Sequence, residues 1–255
     1  MAASDLESVY GINAVGDVLR HNPRGVTALY IAAERKDRRI QALVERAISC
    51  DITVSEIERG ELEAMLDAAQ MPPPRHQGVL ALCRPTPARD EDFLQSLLAR
   101  SERPLLLLLL DGVTDPHNLG ACLRSADAAG AQAVLVPKDN AVGLTPVVRK
   151  VASGAAETTP LVVVKNMARC IKNLQQQGVW VMGAAGESDG PLFDMDFTVD
   201  TAIVMGAEGS GLRQLTRQRC DQLFSIPMRG AVESLNVSVA AGICLFEVLR
   251  QRRGG

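Results

Sequence analysis

Six leucines stand in succession at residues 105–110. An amphipathic helix has no use for such a run, and a membrane span needs roughly 20 apolar residues. A strand buried on both faces does call for it. Shorter apolar runs recur at residues 133–136, 161–164, 179–183, 202–206 and 223–227. Helical patterns fill the intervals at 118–129, 146–153, 167–177 and 211–219, and a long apolar helix over 235–250 closes the chain. This alternation predicts an α/β fold, a mostly parallel sheet with helices on both faces.

The first part of the chain reads differently. Helical patterns at 14–20, 39–49 and 55–69 are interleaved with short apolar runs at 28–32 and 78–83. Ser55, three residues before Glu58, has the spacing of a capping box for the third helix. Pro72, Pro73 and Pro74 cannot lie inside a helix, and the stretch around Pro85 and Pro87 reads as connecting chain. The expected organisation is a small α/β domain over 1–84, a linker over 85–102 and the sheet domain over 103–255.

Thirty acidic side chains against 27 basic ones give a formal charge of -3, which excludes a polycation. Contact with nucleic acid must then come from local patches. Candidates are Arg20–Arg24 and Arg35–Arg39, which would equally suit a solvated face. Aromatic residues are 3% of the chain, so stacking platforms are scarce. RNA recognition would lean on shape, phosphates and ribose hydroxyls. Six dispersed cysteines without a CxxC pair suit a reducing compartment, and the start lacks a leader pattern. A cytoplasmic protein with no membrane segment and no metal is expected. The three histidines, His21, His76 and His117, form no triad grouping. Arg250, Arg252 and Arg253 read as a solvated helix end that offsets the macrodipole.

Ligands of open parallel sheets collect where strands end at their carboxyl edge. Three polar loops follow strands here. The first runs from Asp111 to Gly120 and enters a helix carrying Arg124; within it His117 is either a base or a residue that fixes the loop. The second, Gly206-Ala207-Glu208-Gly209-Ser210-Gly211, reads either as a tight turn needing positive φ or as a cofactor loop. Glu208 argues against a phosphate there and suits a cation, such as the sulfonium of S-adenosylmethionine. The third joins Ile226-Pro227-Met228 to Ser234-Leu235-Asn236.

Together these segments resemble the three motifs of the SpoU (TrmH) branch of the SPOUT RNA methyltransferases. The first motif matches from Asn118 through Arg124 to Ala126, the second over 204–209, and the third at 226–228 with 234–238. Tyr10-Gly11-Ile12-Asn13 and His76-Gln77-Gly78 resemble the family's L30e-like substrate-binding domain. The likeness spans nearly the whole chain and is greatest to the branch that methylates a guanosine ribose in the peptidyl-transferase loop of 23S rRNA.

The resemblance implies a C-terminal trefoil knot that forms an S-adenosylmethionine pocket. It also implies a homodimer with sites at the subunit interface, and 23S rRNA or a large-subunit assembly intermediate as partner. It implies that Ala185, Gly206, Ile226, Met228 and Leu235 hold the cofactor. Asn118, Arg124, Glu208, Ser234 and Asn236 would line the reacting centre, Asn118 and Asn236 as positioners and Glu208 as an orienter of Arg124. A helix-terminal acid is the plainer reading of Glu208. Arg124 is either a base or, since guanidinium hardly ever deprotonates, a charged stabiliser of the developing alkoxide. A tRNA ribose methyltransferase and a non-catalytic ribosome-assembly factor are the alternatives.

Overall fold

A computed structural model describes residues 6–35, 37–68, 76–84, 88–188 and 190–253. The expected leader-free start, the triple-proline break, Pro85, Pro87 and Lys36 of the basic run lie outside the described residues. The chain divides into two compact units, Met1–Pro87 with Arg149–Thr158, and Ala88–Val148 with Thr159–Gly255.

The first unit runs β1 (Glu7–Tyr10), α1 (Ile12–His21), β2 (Val26–Ala32), α2 (Arg38–Ser49), β3 (Thr53–Ile57), α3 (Arg59–Ala68) and β4 (Val79–Cys83). Its sheet has the order β1-β4-β2-β3. β4 pairs antiparallel with β1 and β2, while β3 lies parallel to β2. Leu29, Ile31, Val79 and Ala81 pack with Val15, Leu19 and Leu43 on one face. Leu62 and Leu66 pack with Leu80 in a second cluster.

Ser55 does not cap a helix: it lies within β3, paired in register with Tyr30. The β-branched neighbours Thr53, Val54 and Ile57 prefer the strand, and the helix begins only at Arg59. The two glycine motifs expected to belong together do meet. Gly11 (φ 90°) donates its N–H to Val79, and Gln77 Oε1 accepts from Ile12 N–H at 3.0 Å. His76 is buried; its Nδ1 accepts from Gly78 N–H at 3.1 Å, and its Nε2 lies 3.3 Å from Glu63. Also in this unit, Arg149 is buried between Glu7, at 2.9 Å, and Glu157, and Asn22 donates to Glu157 at 2.9 Å.

The second unit begins with α4 (Glu91–Arg100), which occupies much of the stretch read as linker and buries Leu94 and Leu98. It continues through β5 (Leu106–Asp111), α5 (Pro116–Ala128), β6 (Ala133–Pro137), α6 (Pro146–Ala152), α7 (Ala155–Thr158), β7 (Leu161–Val164), α8 (Met167–Gln176), β8 (Trp180–Ala184), β9 (Thr201–Gly206), α9 (Gln214–Arg219), β10 (Gln222–Phe224) and α10 (Val237–Arg253). α6 straddles the division and α7 lies wholly in the first unit, to which residues 149–158 belong.

Strand order is β10-β8-β9-β5-β6-β7, with every pairing parallel. Every residue of β5 is buried. Leu107 and Leu109 join a cluster with Leu94, Leu98, Ile171 and Leu174 from α4 and α8. Leu106, Leu108 and Leu110 point the other way, leaving α5 and α10 to cover the second face; these two helices pack together, and α10 also packs on β9. Fully burying a leucine stabilises by about 1.5–3 kcal/mol, so the leucine run anchors the sheet.

The helix end at Arg250–Arg253 is not simply solvated. The Arg252 guanidinium donates to the carbonyls of Pro104, Leu105, Phe197 and Val199. Arg250 pairs with buried Glu247 at 2.7 Å. A planar group with five donors suits a cluster of strand-end carbonyls better than water does.

Candidate active site

The loops after β5, β8, β9 and β10 emerge at the carboxyl ends of four adjacent strands. The loop after β9 folds back on itself: Ala207 N–H donates to Gly211 at 3.1 Å and Gly211 N–H to Ala207 at 2.9 Å. A Cβ on Gly206 would lie 2.1 Å from the Gly211 carbonyl carbon, so only glycine fits. Gly209 and Gly211 hold φ of +78° and +66°, the left-handed region that glycine enters freely. The glycine spacing therefore encodes a tight turn, and that turn forms part of a cavity wall.

The loop presents Glu208 to two asparagines. Glu208 Oε1 accepts from Asn236 Nδ2 at 2.6 Å, from Asn118 Nδ2 at 3.1 Å and from Val237 N–H at 3.4 Å. Asn236 Nδ2 also donates to Asn118 Oδ1 at 2.9 Å, which closes a ring of three side chains. The other end of the Asn236 amide caps α10, its Oδ1 accepting from Ser238 N–H at 2.9 Å and from Ser238 Oγ. Asp115 caps α5 in the same way, accepting from His117 N–H at 2.9 Å. Two helix starts thus fix the two asparagines, and the β9 turn fixes the acid between them. The plain reading of Glu208 as a helix-terminal acid also holds, for the N-terminus of α10.

Beside this ring opens a cavity of about 1000 Å³. Ala185, Gly206, Ile226, Met228 and Leu235, all five expected cofactor residues, line it, as do Glu208, Ser234 and Asn236. Its charged lining is Glu187, Glu208 and Glu233 against Arg217. Three acids against one cation suit a phosphate-free, positively charged ligand and oppose a nucleotide phosphate. The residues present thus fit S-adenosylmethionine. Among the described residues, no group of His, Cys, Asp and Glu could hold a metal ion, and no helix is long and apolar enough to cross a membrane.

Arg124 stands apart. It is exposed on α5, six residues and hence about 120° around the helix from Asn118. It makes no hydrogen bond or ion pair among the described residues, so the expected link from Glu208 to Arg124 is replaced by the ring to the asparagines. His117 is also exposed, its Nδ1 3.4 Å from Asp115. Sequence reasoning missed Asp111 by assigning it to the loop. It is the last residue of β5 and fully buried. A carboxylate directly after six leucines was the signal. Arg213 was missed as well; its backbone N–H and guanidinium both face Asp111.

A methyltransferase domain joined to a substrate-binding domain is the class of protein that comparison with known proteins defines for this chain. Residues 105–246 match the SpoU rRNA Methylase family, and residues 8–88 match the RNA 2'-O ribose methyltransferase substrate binding domain. The chain belongs to the SpoU rRNA methylase family. It is 55% identical over 98% of its length, and 97% of the relative's, to the 23S rRNA (guanosine-2'-O-)-methyltransferase RlmB of Pseudomonas syringae pv. tomato. RlmB of Coxiella burnetii is 53% identical over 98% of this chain and 97% of its own. Among solved structures, the SpoU methyltransferase AviRb from Streptomyces viridochromogenes, in complex with the cofactor AdoMet, superposes with a TM-score of 0.78 at 27% identity. That match covers 99% of this chain and 92% of AviRb.

Proposed function

We propose that this chain is an S-adenosylmethionine-dependent methyltransferase that modifies the 2′ oxygen of a guanosine ribose in the peptidyl-transferase loop of 23S rRNA. The observation that carries this is the Asn118–Glu208–Asn236 ring at the rim of a cavity fit for a cationic donor, in a chain similar end to end to RlmB. The substrate-binding match over 8–88 favours rRNA over tRNA as target, and the complete ring favours an enzyme over an assembly factor that merely keeps the fold.

When bound, S-adenosylmethionine supplies an electrophilic methyl on a sulfonium, an excellent leaving group. The protein must align the ribose hydroxyl and manage its weak acidity. Alignment alone is worth several kcal/mol. Asn118 and Asn236 position the ribose-facing loops, Ser234 lines the approach, and Glu208 locks both asparagines through Oε1. Arg124, unengaged within its own fold, stays charged, grips the neighbouring phosphate and stabilises the developing alkoxide, while the proton leaves through water or a phosphate oxygen. Ala185, Gly206, Ile226, Met228 and Leu235 hold the donor, largely through backbone.

The reading includes the family's trefoil knot in the C-terminal segment, cytoplasmic residence, a boundary near residues 85–102 between the RNA-binding and methyltransferase domains, and rRNA or an assembly intermediate as substrate. It also includes a homodimer that brings Arg124 to a shared site. Supporting the dimer, α10 leaves Val239 and Phe246, seven residues apart on one face, 51% and 49% exposed.

A filter assay with radiolabelled methyl donor tests the activity. Unmodified 23S rRNA should take label; label on tRNA only, or on neither, would overturn the proposal. Arg124→Lys tests the arginine's role. Loss of most of the rate is expected, whereas rescue with a steeper pH dependence would make Arg124 the base.

A further inference from the structure

Asp111 ends β5 with no exposure at all. A carboxylate in the interior of a leucine-built sheet opposes folding unless it is fully engaged. Asp111 accepts a hydrogen bond on one oxygen only. Its Oδ2 accepts from Arg213 N–H at 3.1 Å, while its buried Oδ1 has no hydrogen bond and lies 3.5 Å from Arg213 Nη1. Leucine in that position would spare the sheet this cost, so the acid must do something that packing does not require.

Its place in the register supplies the purpose. Asp111 pairs with Gly206, the last residue before the glycine loop. Through its side chain it also holds Arg213, the first residue after the loop's cavity-lining stretch 207–212. Both ends of the loop therefore meet at one residue of the neighbouring strand. The loop carries Glu208, which in turn gathers Asn118 and Asn236.

We infer that Asp111 is a positioning residue that holds the glycine loop in the shape the methyl donor and Glu208 require, acting through the Arg213 backbone N–H rather than through the guanidinium. The inference builds on the cavity being the S-adenosylmethionine site and deepens that reading. Arg213 is extended with φ of -60°, a value that proline also adopts. Arg213→Pro therefore removes the donor without forcing φ, whereas Arg213→Ala removes the guanidinium and keeps the donor. The Arg213 side chain is 45% exposed, and because both variants lose the same guanidinium, the difference between them isolates the backbone N–H.

The experiment is calorimetric titration of S-adenosylmethionine into the full-length protein and its variants, with kcat and KM measured alongside. Arg213→Pro and Asp111→Ala should weaken donor binding about tenfold, the scale of one lost hydrogen bond to a charged group. Asp111→Asn, whose amide oxygen still accepts, should fall between these and wild type, and Arg213→Ala should stay within about threefold. Equal weakening in Arg213→Ala and Arg213→Pro would overturn the inference, because the charge pair would then be acting. Lowered Tm with donor affinity, KM and kcat all at wild-type values would also overturn it, leaving Asp111 a purely structural acid. Should Asp111→Ala fail to fold, the two Arg213 variants decide the matter. Absence of donor binding by wild type would instead strike the cavity's assignment.

Discussion

Both units pair cations with nearby acids, as Arg217 with Glu187 and Arg250 with Glu247 in the second, but they differ in where polar groups converge. In the first, cations are met close to home: Arg35 by Asp37 at 2.7 Å, Arg59 by Glu63 at 3.1 Å, Arg39 by the Asn13 amide at 2.7 Å, and buried Arg149 by Glu7 and Glu157. In the second, polar capacity is gathered at one sheet edge, where a single carboxylate oxygen of Glu208 serves three donors. The first arrangement suits a surface that reads RNA by shape. The second suits a site where geometry, rather than net field, controls a reaction.

The largest expected effect follows from the ring. Glu208→Ala frees both asparagines at once, and displacement of about an ångström at a reacting centre costs about 100-fold in rate. Single-turnover methyl transfer should fall by that order with Tm little changed, since Glu208 is exposed. A loss under threefold would remove the ring from the chemistry and erase the contrast between the units.

A smaller effect is expected in the first unit. Free phosphate clamps lower the slope of log affinity against log salt by about one for each arginine removed. Arg35 and Arg39 already have protein partners, so Arg35→Ala and Arg39→Ala should each lower the slope by less than that, with affinity reduced a few-fold. A full unit per arginine, in RNA binding measured from low to high salt, would make this surface an electrostatic clamp like any other.

The smallest effects leave activity intact and sharpen the contrast through stability. Hydrogen bonds from Arg250, then Gln251, hold the Glu247 carboxyl below its ordinary 4.5. A depressed folded-state value contributes stability above 4.5 that is lost as pH falls through the lower value. Glu247→Gln should therefore flatten the acid decline of Tm below pH 4.5; an unchanged decline would mean that the pair contributes nothing. Burial likewise pushes the Cys83, Cys122, Cys170, Cys220 and Cys244 thiols up to about 12. Thiol labelling at neutral pH should find Cys50 alone reactive in the native protein and all six cysteines reactive in denaturant.

The same division governs what the sequence reveals. Strands buried on both faces announce themselves as apolar runs, so β5, β6, β7, β8 and β9 were legible to within a residue or two. β3 was not, because a half-exposed strand with Ser55 and Glu56 inside it carries neither a clean alternation nor an apolar run. Glycine positions dictated by backbone contact were legible too, as at Gly206. What escaped were relations across the fold: Asp111 holding Arg213 from 102 residues away, and Arg252 gathering carbonyls from two distant segments. Arg124 was legible as a motif residue, yet it is exposed on α5 without a hydrogen bond or ion pair among the described residues. No local pattern encodes which distant group a side chain will face.

The central claim is that the turn after β9 forms a wall of the methyl-donor cavity. Calorimetric titration of S-adenosylmethionine into wild type and Gly206→Ala tests it most directly, because the added Cβ would press into the Gly211 backbone. The account predicts one site per chain in wild type and no measurable binding in the variant, with its circular dichroism unchanged. Equal affinity in the two proteins would contradict it.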